Sequence, residues 1–576
     1  CAMSCHPPIQ TSFLPTRLID LGTDAASIPR LIETADEIKL GALNPSEPIQ
    51  YAALSYCWGN PTDASAQTKT EPSNLHERRR AIPTDSMSTV IQDSVTVCRA
   101  FSVRYLWIDA LCIIQNGTDQ SDWERESKRV GMVYQHAYFT ICALSVANCH
   151  QSFLDRSQHT FAFDFQSSLY PPARGKYTLH YAAGSSEAHY PLDVDRINSS
   201  WSTRGWIFRE DRLSTRKILF GQQMVHFECG RFQIPETGEH ILSLRGGEWP
   251  VAGLGKLERD QVYRHFHEVL GSYANLGLSR ESDQLPALAG LAKVMFDITQ
   301  DQYLAGLWKE DLHRGLLWNK FTRNKSLAER LDSLRAPSWS WVSQPGHMEY
   351  GLCGPTFWGD RHLRPAYSDI DAWTVLQGAQ LNQFGEVKSG TIRLRGKVIP
   401  VPGDFVMIRQ HLFTVAIWKV YHHSRVVAHC RLDWNSVSPT LERGRLKLLL
   451  LSSSCSAENP FPAFCTDDWR GDEHDEQEHR GETNPGSSSH VKVDSSGTAL
   501  GWHVGRVLVR GSGADPPEAC VLCSNQEHNR NAWGLIIHPA KNTGEYYRVG
   551  LFSSRAGEVG GIQFFKDIPD QRIDIV

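Results

Sequence analysis

The sequence predicts an α/β fold with a mostly parallel β-sheet and flanking helices, followed by a helical bridge and a β-rich C-terminal region. Three observations predict it. Strand-like apolar runs alternate with helical patterns over residues 51–146, residues 256–345 are mainly helical in pattern, and short alternating apolar runs recur after residue 346. Alternation of strands and helices is typical of sheets whose neighbouring strands run parallel.

The 576-residue chain is globular in composition, with 41% hydrophobic and 21% charged residues. Its formal net charge of −5 gives no basic field that would attract nucleic acid or an anionic membrane. No apolar run approaches the roughly 18 residues of a membrane-spanning helix, and no signal peptide opens the chain. The 14 scattered cysteines are typical of a reduced protein. We therefore expect a cytoplasmic protein with no nucleic-acid or membrane partner.

The first half of the sheet is predicted from residues 1–114. Residues 1–50 form a lead-in that contains one strand, at residues 16–20. A strand over residues 51–58 is closed by a Gly-Asn-Pro breaker, and residues 61–83 are polar and loop-like. Residues 86–101 have helical spacing, and the apolar run over residues 105–114 indicates a buried strand with the loop after it.

The second half of the sheet begins with the clearest helix, over residues 121–137, in which apolar positions recur on one face. Residues 138–146 form the next strand, and residues 150–200 are irregular. The domains predicted are the α/β domain over residues 51–235, a helical extension over 236–345 and a β-rich domain over 346–576. Strands of the last are expected at residues 391–399, 446–451, 506–509 and 533–538, and an acidic, Ser- and Gly-rich disordered insertion near 466–500.

Three sequence blocks within the α/β domain resemble a known family. They are YAALSYCWG at residues 51–59, YLWIDALCIIQ at residues 105–115 with Asp122, Trp123, Glu126, Met132, Tyr134 and Ala137 after it, and RGWIFRE at residues 204–210. These blocks resemble the fungal heterokaryon-incompatibility (HET) family. The chain departs from that pattern at Arg209, where the family usually has Gln, and at Asp211 and Arg212.

The resemblance implies a role in fungal nonself recognition and cell death. The HET domain has been likened to Toll/interleukin-receptor (TIR) domains, which have a flavodoxin-like sheet and some of which cleave NAD. The resemblance therefore implies a TIR-like, flavodoxin-like sheet and NAD as a candidate substrate, rather than a bound cofactor.

Glu126 is the first catalytic candidate, because a carboxylate on the inward face of a helix must be paired, hydrogen-bonded or functional. With Trp123 it resembles the TIR pair that contacts the ribose and stabilises positive charge, although the spacing is one residue shorter. The alternative is a structural ion pair, with Arg204 or Arg99 as the partner.

Asp109 is the second catalytic candidate, because it follows an apolar strand and ligands of open α/β sheets bind beyond the carboxyl ends of the strands. Capping of the next turn is the alternative role. Cys57 and Cys112 lie near strand ends, and each is either a thiolate nucleophile or a packed thiol.

The remaining binding candidates come from the first and third blocks. Aromatic side chains in the turn would stack on a flat ring, and a glycine would let backbone approach a ligand. An arginine in the third block would bind a phosphate or pair with a buried acid. The predicted substrate-binding residues are Ser55, Tyr56, Trp58, Gly59, Cys112, Trp123, Arg204, Trp206 and Glu210.

Motifs for metals and nucleotides are weak or absent. Cys520-x-x-Cys523 lacks a second pair, Cys1 and Cys5 form an incomplete set, and no GxxxxGK[ST] or GxGxxG loop occurs. We therefore predict no metal site and no classical dinucleotide fold.

Three functions are open at this point. The first is nonself recognition or cell-death signalling with NAD cleavage at the nicotinamide glycosidic bond. The second is a biosynthetic enzyme that acts on a small-molecule metabolite in the same cleft, and the third is a non-catalytic interaction module. A small-molecule substrate and self-association are compatible with the sequence.

Overall fold

A computed structural model describes most of the chain. The described residues are 13–24, 26–44, 49–115, 121–156, 160–180, 191–230, 232–238, 241–242, 257–278, 280–321, 327–344, 347–350, 363–376, 382–402, 405–409, 416–433, 444–455, 530–557 and 560–576. Within these residues, no helix combines the length and the apolar character needed to cross a lipid bilayer.

In the described part of the chain, the N-terminal sheet has nine strands. They are β1 (Arg17–Asp20), β2 (Arg30–Glu33), β3 (Tyr51–Ser55), β4 (Tyr105–Trp107), β5 (Phe139–Cys142), β8 (Arg216–Phe220), β9 (Val225–Cys229), β10 (Phe232–Pro235) and β11 (Ile241–Leu242), in the order β11-β10-β9-β8-β5-β3-β4-β1-β2. The central strands β8, β5, β3 and β4 run parallel. The strands at both ends are antiparallel. A separate hairpin consists of β6 (Thr160–Gln166) and β7 (Arg174–His180).

Helices connect and flank these strands. They are α1 (Thr34–Lys39), α2 (Pro61–Ala66), α3 (Leu75–Arg80), α4 (Thr89–Ala100), α5 (Asp109–Cys112), α6 (Ser121–His136), α7 (Pro191–Ile197) and α8 (Gly205–Leu213). All five residues of β3 are buried, because β3 lies between β4 and β5. The predicted α/β architecture with parallel strands is confirmed, but the sheet is not mostly parallel, because parallel pairing is limited to its four central strands.

Two stretches that the sequence analysis treated as irregular contain regular elements. Asn60 accepts hydrogen bonds from the backbone N–H groups of Thr62 and Asp63 at 2.9 and 3.0 Å, and Pro61 is the first residue of α2. The Gly-Asn-Pro sequence therefore ends a strand and also caps a helix, for which Asn and Pro are well suited. Within residues 150–200, the hairpin and α7 replace the predicted irregular chain.

The lead-in belongs to the sheet. Strand β1 pairs with β4, and β2 adds the outermost strand. Arg17 anchors this addition: its guanidinium donates to Asp122 at 2.7 and 3.0 Å, to Glu33 at 2.9 Å and to the Cys112 carbonyl at 3.0 Å. The structural unit of the first half therefore begins before residue 51.

The predicted helical extension contains two long helices and several short elements. They are α9 (Arg259–Tyr273), α10 (Gln284–Thr299), β12 (Tyr303–Leu304), β13 (Leu307–Trp308), α11 (Leu312–Gly315), β14 (Trp318–Phe321), α12 (Leu327–Asp332) and β15 (His347–Tyr350). Four tryptophans, Trp308, Trp318, Trp339 and Trp341, are at most 1% exposed. They belong to a hydrophobic core that also contains residues of the C-terminal sheet, among them Ile575.

The C-terminal region is β-rich, as predicted, and its strands form a largely antiparallel sheet. Its strands are β16 (Arg364–Pro365), β17 (Tyr367–Leu376), β18 (Val387–Pro400), β19 (Phe405–Arg409), β20 (Ala416–His422), β21 (Arg425–Leu432), β22 (Lys447–Cys455), β23 (Arg530–Pro539), β24 (Glu545–Ser554) and β25 (Asp570–Ile575). The predicted strands near residues 391–399, 446–451 and 533–538 are confirmed. The predicted strand at 506–509 and the insertion near 466–500 lie outside the described residues.

Candidate functional site

The carboxyl ends of β3 and β4 meet at one edge of the N-terminal sheet. Ala53 is the register partner of Trp107, and the two strands are parallel. Ser55 ends β3 and leads into the turn over residues 56–59, while Asp109 follows β4 as the first residue of α5. Two of the three sequence blocks are therefore neighbours at the edge where ligands of α/β sheets bind.

Asp109 is held by two donors at this edge. The indole Nε1 of Trp58 donates to its carboxylate at 3.0 Å, and the backbone N–H of Ala110 donates at 2.7 Å. Burial raises the pKa of Asp109 to about 6, against the lowering effect of these hydrogen bonds and of Arg204. Asp109 thus accepts a hydrogen bond from the backbone of its own turn, and its raised pKa lies in the range useful for proton transfer.

Glu210 approaches the same edge from α8, in the third sequence block. Ser55 donates its hydroxyl proton to Glu210 at 2.5 Å, and Trp201 Nε1 donates to the Ser55 hydroxyl at 2.9 Å. The pKa of Glu210 is raised to about 7, mainly by burial and also by the charge of Asp109, against the lowering effects of Ser55 and two arginines. The site therefore contains two carboxyl groups that influence each other's ionisation.

Arg204 is the cation that faces both carboxyl groups. It precedes α8, and its Nη1 donates to the Tyr56 carbonyl at 3.3 Å. Its charge lowers the pKa values of Asp109 and Glu210. Asp109, Glu210 and Arg204 all keep part of their surface exposed. The positive charge of Arg204 partly offsets the negative charge of the two acids when both are ionised.

Tyr56 extends the site toward α2. Its hydroxyl donates to Gln67 Oε1 at 2.8 Å. Gln67 and Thr70 are 4% and 0% exposed, and neither Gln67 Nε2 nor the Thr70 hydroxyl has a hydrogen-bond partner among the described residues. Neither residue is among the predicted site residues, because residues 61–83 are predicted to be a polar loop.

The turn after β3 shapes one wall of the site. Gly59 has φ of +95°, and a Cβ there would lie 2.5 Å from Asn148 and 2.6 Å from Asp63. Any other residue would therefore strain the backbone and clash at this position. Trp58 is partly buried and packs against the domain core.

The two cysteines near the strand ends are packed thiols. Both are free and buried. Burial raises the pKa of Cys112 to about 12 and also raises the pKa of Cys57. Neither is a thiolate at neutral pH, so the structure gives no support to a cysteine nucleophile.

Glu126 and Trp123 belong to another set of contacts. Glu126 is 5% exposed and accepts hydrogen bonds from the Thr16 hydroxyl at 2.9 Å and from Arg125 at 3.1 Å. These partners replace the expected Arg204 and Arg99, because Thr16, just before β1, lies against this part of α6. Trp123 is 41% exposed. Among the described residues, no hydrogen bond or ion pair joins Glu126 to Ser55, Asp109 or Glu210.

The third block divides between the site and the domain interior. Trp206 donates to Asp283 at 3.1 Å, at the helical extension, and the Arg209 guanidinium lies 4.9 Å from the Trp206 ring centroid. Asp211 pairs with Arg196 at 2.9 Å and with Lys217 at 2.7 Å. The departures at Arg209 and Asp211 thus have structural partners on the sides of α8 that do not contact Ser55.

No cluster of metal-ligating side chains occurs in the described part of the chain. The candidate cysteines Cys1, Cys5, Cys520 and Cys523 lie outside it. The chemistry available at the edge is therefore that of two acids with raised pKa values, one arginine, one serine hydroxyl and aromatic walls.

The fold and the site define the first half as an α/β domain with a polar cluster at the carboxyl edge of its parallel strands. Residues 51–210 match the family model described as heterokaryon incompatibility protein (HET). The chain therefore contains a HET domain, and all three sequence blocks fall within the matched segment. No curated protein and no solved structure matches the chain.

Proposed function

We propose that this HET domain acts in fungal nonself recognition by cleaving the nicotinamide glycosidic bond of NAD at the Asp109–Glu210 edge. The observation that carries the proposal is the pair of carboxyl groups whose pKa values rise to about 6 and about 7 beside Arg204. Paired acids with perturbed pKa values mark many catalytic sites. The parallel strand order β4-β3-β5-β8 also follows the 2-1-3-4 pattern of flavodoxin-like sheets, to which TIR domains belong.

The two carboxyl groups and Arg204, together with a water molecule, would be nearly sufficient for the reaction. Cleavage breaks the bond between ribose C1 and the nicotinamide nitrogen, and the electron pair leaves with neutral nicotinamide. Positive charge develops on the ribose, which a nearby carboxylate stabilises. Water then adds to C1 and loses a proton to a base, giving ADP-ribose. A base with a pKa near the working pH serves this step well.

We assign the base to Glu210 and the charge-stabilising role to Asp109. Glu210 has the higher pKa, and Ser55 and Trp201 fix its orientation. Arg204 is suited to a phosphate oxygen of the substrate. Tyr56 and Trp58 would form the aromatic wall, and Gly59 allows close backbone approach. Glu126 with Trp123 stays the alternative catalytic pair.

The test is nicotinamide release from NAD by the purified full chain and by three variants. Glu210→Gln and Asp109→Asn are expected to lower turnover by roughly 100-fold or more. Glu126→Gln makes the same chemical change at a carboxylate bonded to Thr16 and Arg125, and it should retain turnover. A loss confined to Glu126→Gln would transfer the catalytic role to Glu126. No turnover by the unaltered chain, at high concentration and in an assembled state, would refute NAD cleavage.

A biosynthetic enzyme acting on another metabolite is the second candidate. It is favoured by the same acid pair, which performs acid–base chemistry on any substrate that fits between Asp109 and Glu210. Incubation with candidate metabolites, followed by mass spectrometry, separates the two. Turnover of a metabolite but not of NAD, lost in Glu210→Gln, would favour it. If no substrate is turned over and the variants change only stability, the domain is an interaction module.

A further inference from the structure

The hairpin of β6 and β7 presents a row of exposed aromatic side chains. Phe161, Phe163 and Phe165 alternate along β6 and are 61%, 53% and 40% exposed. Alternate residues of a strand lie on the same face of a sheet, so the three rings form one stripe. At the tip, Leu169 is 96% and Tyr170 is 66% exposed. Neighbouring large apolar side chains left in water indicate an interaction surface.

No charged residue stands opposite the three rings. The register partners of Phe161, Phe163 and Phe165 are Leu179, Tyr177 and Gly175. The charged residues occupy the alternate positions, where Asp164 pairs in register with Lys176. The hairpin is therefore amphipathic, with one apolar face and one polar face.

The hairpin also lacks strand neighbours. Among the described strands, β6 and β7 pair only with each other. An isolated two-stranded hairpin is only marginally stable in water, and stability usually requires further strands or a packed face.

We propose that the apolar surface of this hairpin, made of the three phenylalanines of β6 together with Leu169 and Tyr170 at its tip, binds the same surface of a second copy of the chain. Face-to-face packing of two hairpins would form a small two-layer β-sandwich around a twofold axis. The polar faces, with Asp164 and Lys176, would stay in water, so that no charge is buried.

The exposed area fits this partner. Large apolar side chains offer roughly 150–250 Å² each, so the exposed fractions of these five sum to roughly 600 Å² per copy. Stable protein interfaces bury about 600–1,000 Å² per partner. A membrane fits less well, because the chain has a net charge of −5 and the hairpin's described basic residues, Arg174 and Lys176, are accompanied by Asp164.

The test is the oligomeric state of the full chain, measured by sedimentation equilibrium. Protein concentrations of roughly 1–100 μM cover the range in which an interface of this size should give a measurable monomer–dimer equilibrium. The unaltered chain is expected to dimerise. Phe163→Glu places a charge in the centre of the proposed interface and should weaken dimerisation by more than about tenfold. Ala162→Glu is the matched control, because it adds the same charge one residue away on the polar face, and it should leave the dimer unchanged.

Three results of the sedimentation experiment would overturn the proposal. They are a monomeric unaltered chain, a dimer that Phe163→Glu leaves intact, and equal weakening by both variants. A fourth is binding of the monomer, but not of Phe163→Glu, to phosphatidylcholine vesicles with or without phosphatidylserine, which would make a lipid surface the occupant. None of these readouts involves NAD, so the proposal stands or falls separately from the catalytic one. Both altered positions are exposed, and circular dichroism verifies that each variant folds.

Discussion

At the scale of single residues, the hydrogen bonds of the Ser55 hydroxyl group help to set the position and the pKa of Glu210. That hydroxyl accepts from Trp201 and donates to Glu210, so one buried serine joins the end of β3 to α8. The bond favours the charged form of Glu210, and burial and Asp109 oppose it. The balance leaves Glu210 with a pKa of about 7, in the range where a carboxyl group both accepts and releases protons at neutral pH.

The raised pKa values predict that these two groups make the protein less stable as pH rises. Between the ordinary pKa of 4.5 and about 7, folded Glu210 holds a proton that the unfolded chain releases. For Asp109 the window runs from 3.8 to about 6. The unfolded state binds fewer protons there, so the free energy of unfolding falls with pH. Glu210→Gln should therefore stabilise the HET domain at about pH 8, by on the order of 1 kcal/mol, and flatten this slope.

Urea unfolding followed by tryptophan fluorescence, from about pH 5 to about pH 8, measures this slope. Glu77→Gln serves as the control, because Glu77 is an exposed glutamate on α3. If Glu210→Gln and the unaltered chain had the same slope, the buried acid would not be titrating in this range.

At the scale of elements, the lead-in strand β1 holds the first half together. Arg17 is 5% exposed and bonds to both Asp122 and Glu33. Without Arg17, the carboxylates of Asp122 and Glu33 would lose a positively charged partner at a site that water solvates poorly. Arg17→Met is therefore predicted to lower the free energy of unfolding by roughly 3 kcal/mol.

Chemical denaturation of the two proteins measures the effect of Arg17→Met. Lys39→Met is the matched control on α1, because Lys39 is 77% exposed and its ion pair with Asp36 is open to solvent. That change should stay within about 0.5 kcal/mol. Equal effects of the two substitutions would show that the contacts of Arg17 are not stabilising the lead-in.

The sequence predicts the elements better than it predicts their contacts. Periodicity locates α4, α6 and β3 within a few residues, because one buried face repeats along each element. The contact between Ser55 and Glu210 joins residues 155 positions apart, and no local pattern encodes it. Glu126 is inward-facing as expected, but Thr16, which donates to it, comes from the lead-in, which was not assigned to the sheet. The exposed hairpin was missed because its alternating phenylalanines lie in a segment read as irregular.

At the scale of the whole molecule, the helical extension and the C-terminal sheet share one hydrophobic core. Trp318 and Trp339 are fully buried in a cluster that also contains Trp533 and Ile575. The Arg548 guanidinium from β24 lies 3.3 Å from the Trp318 ring centroid and pairs with Asp433. The predicted boundary at residues 345 and 346 therefore separates sequence patterns, while the packing is continuous across it.

This packing predicts that residues 236–345, expressed alone, lack a cooperative unfolding transition and a near-ultraviolet circular dichroism spectrum of packed tryptophans. The buried indoles would lose the apolar partners that the C-terminal strands supply. The matched fragment 236–576 retains those partners and should show both signals. A cooperative transition in the short fragment would mean that the extension has a sufficient core of its own.

The central claim is that Asp109 and Glu210 form a pair of acids that titrate near neutral pH. The most direct measurement is a ¹³C NMR titration of the Asp and Glu carboxyl carbons in the full chain, with Asp109→Asn and Glu210→Gln to assign the two signals. We predict midpoints of about 6 for Asp109 and about 7 for Glu210, with Asp109→Asn lowering the midpoint of Glu210 because the charge of Asp109 raises it. Midpoints below about 5 for both groups, at the ordinary values for exposed carboxyls, would contradict the account.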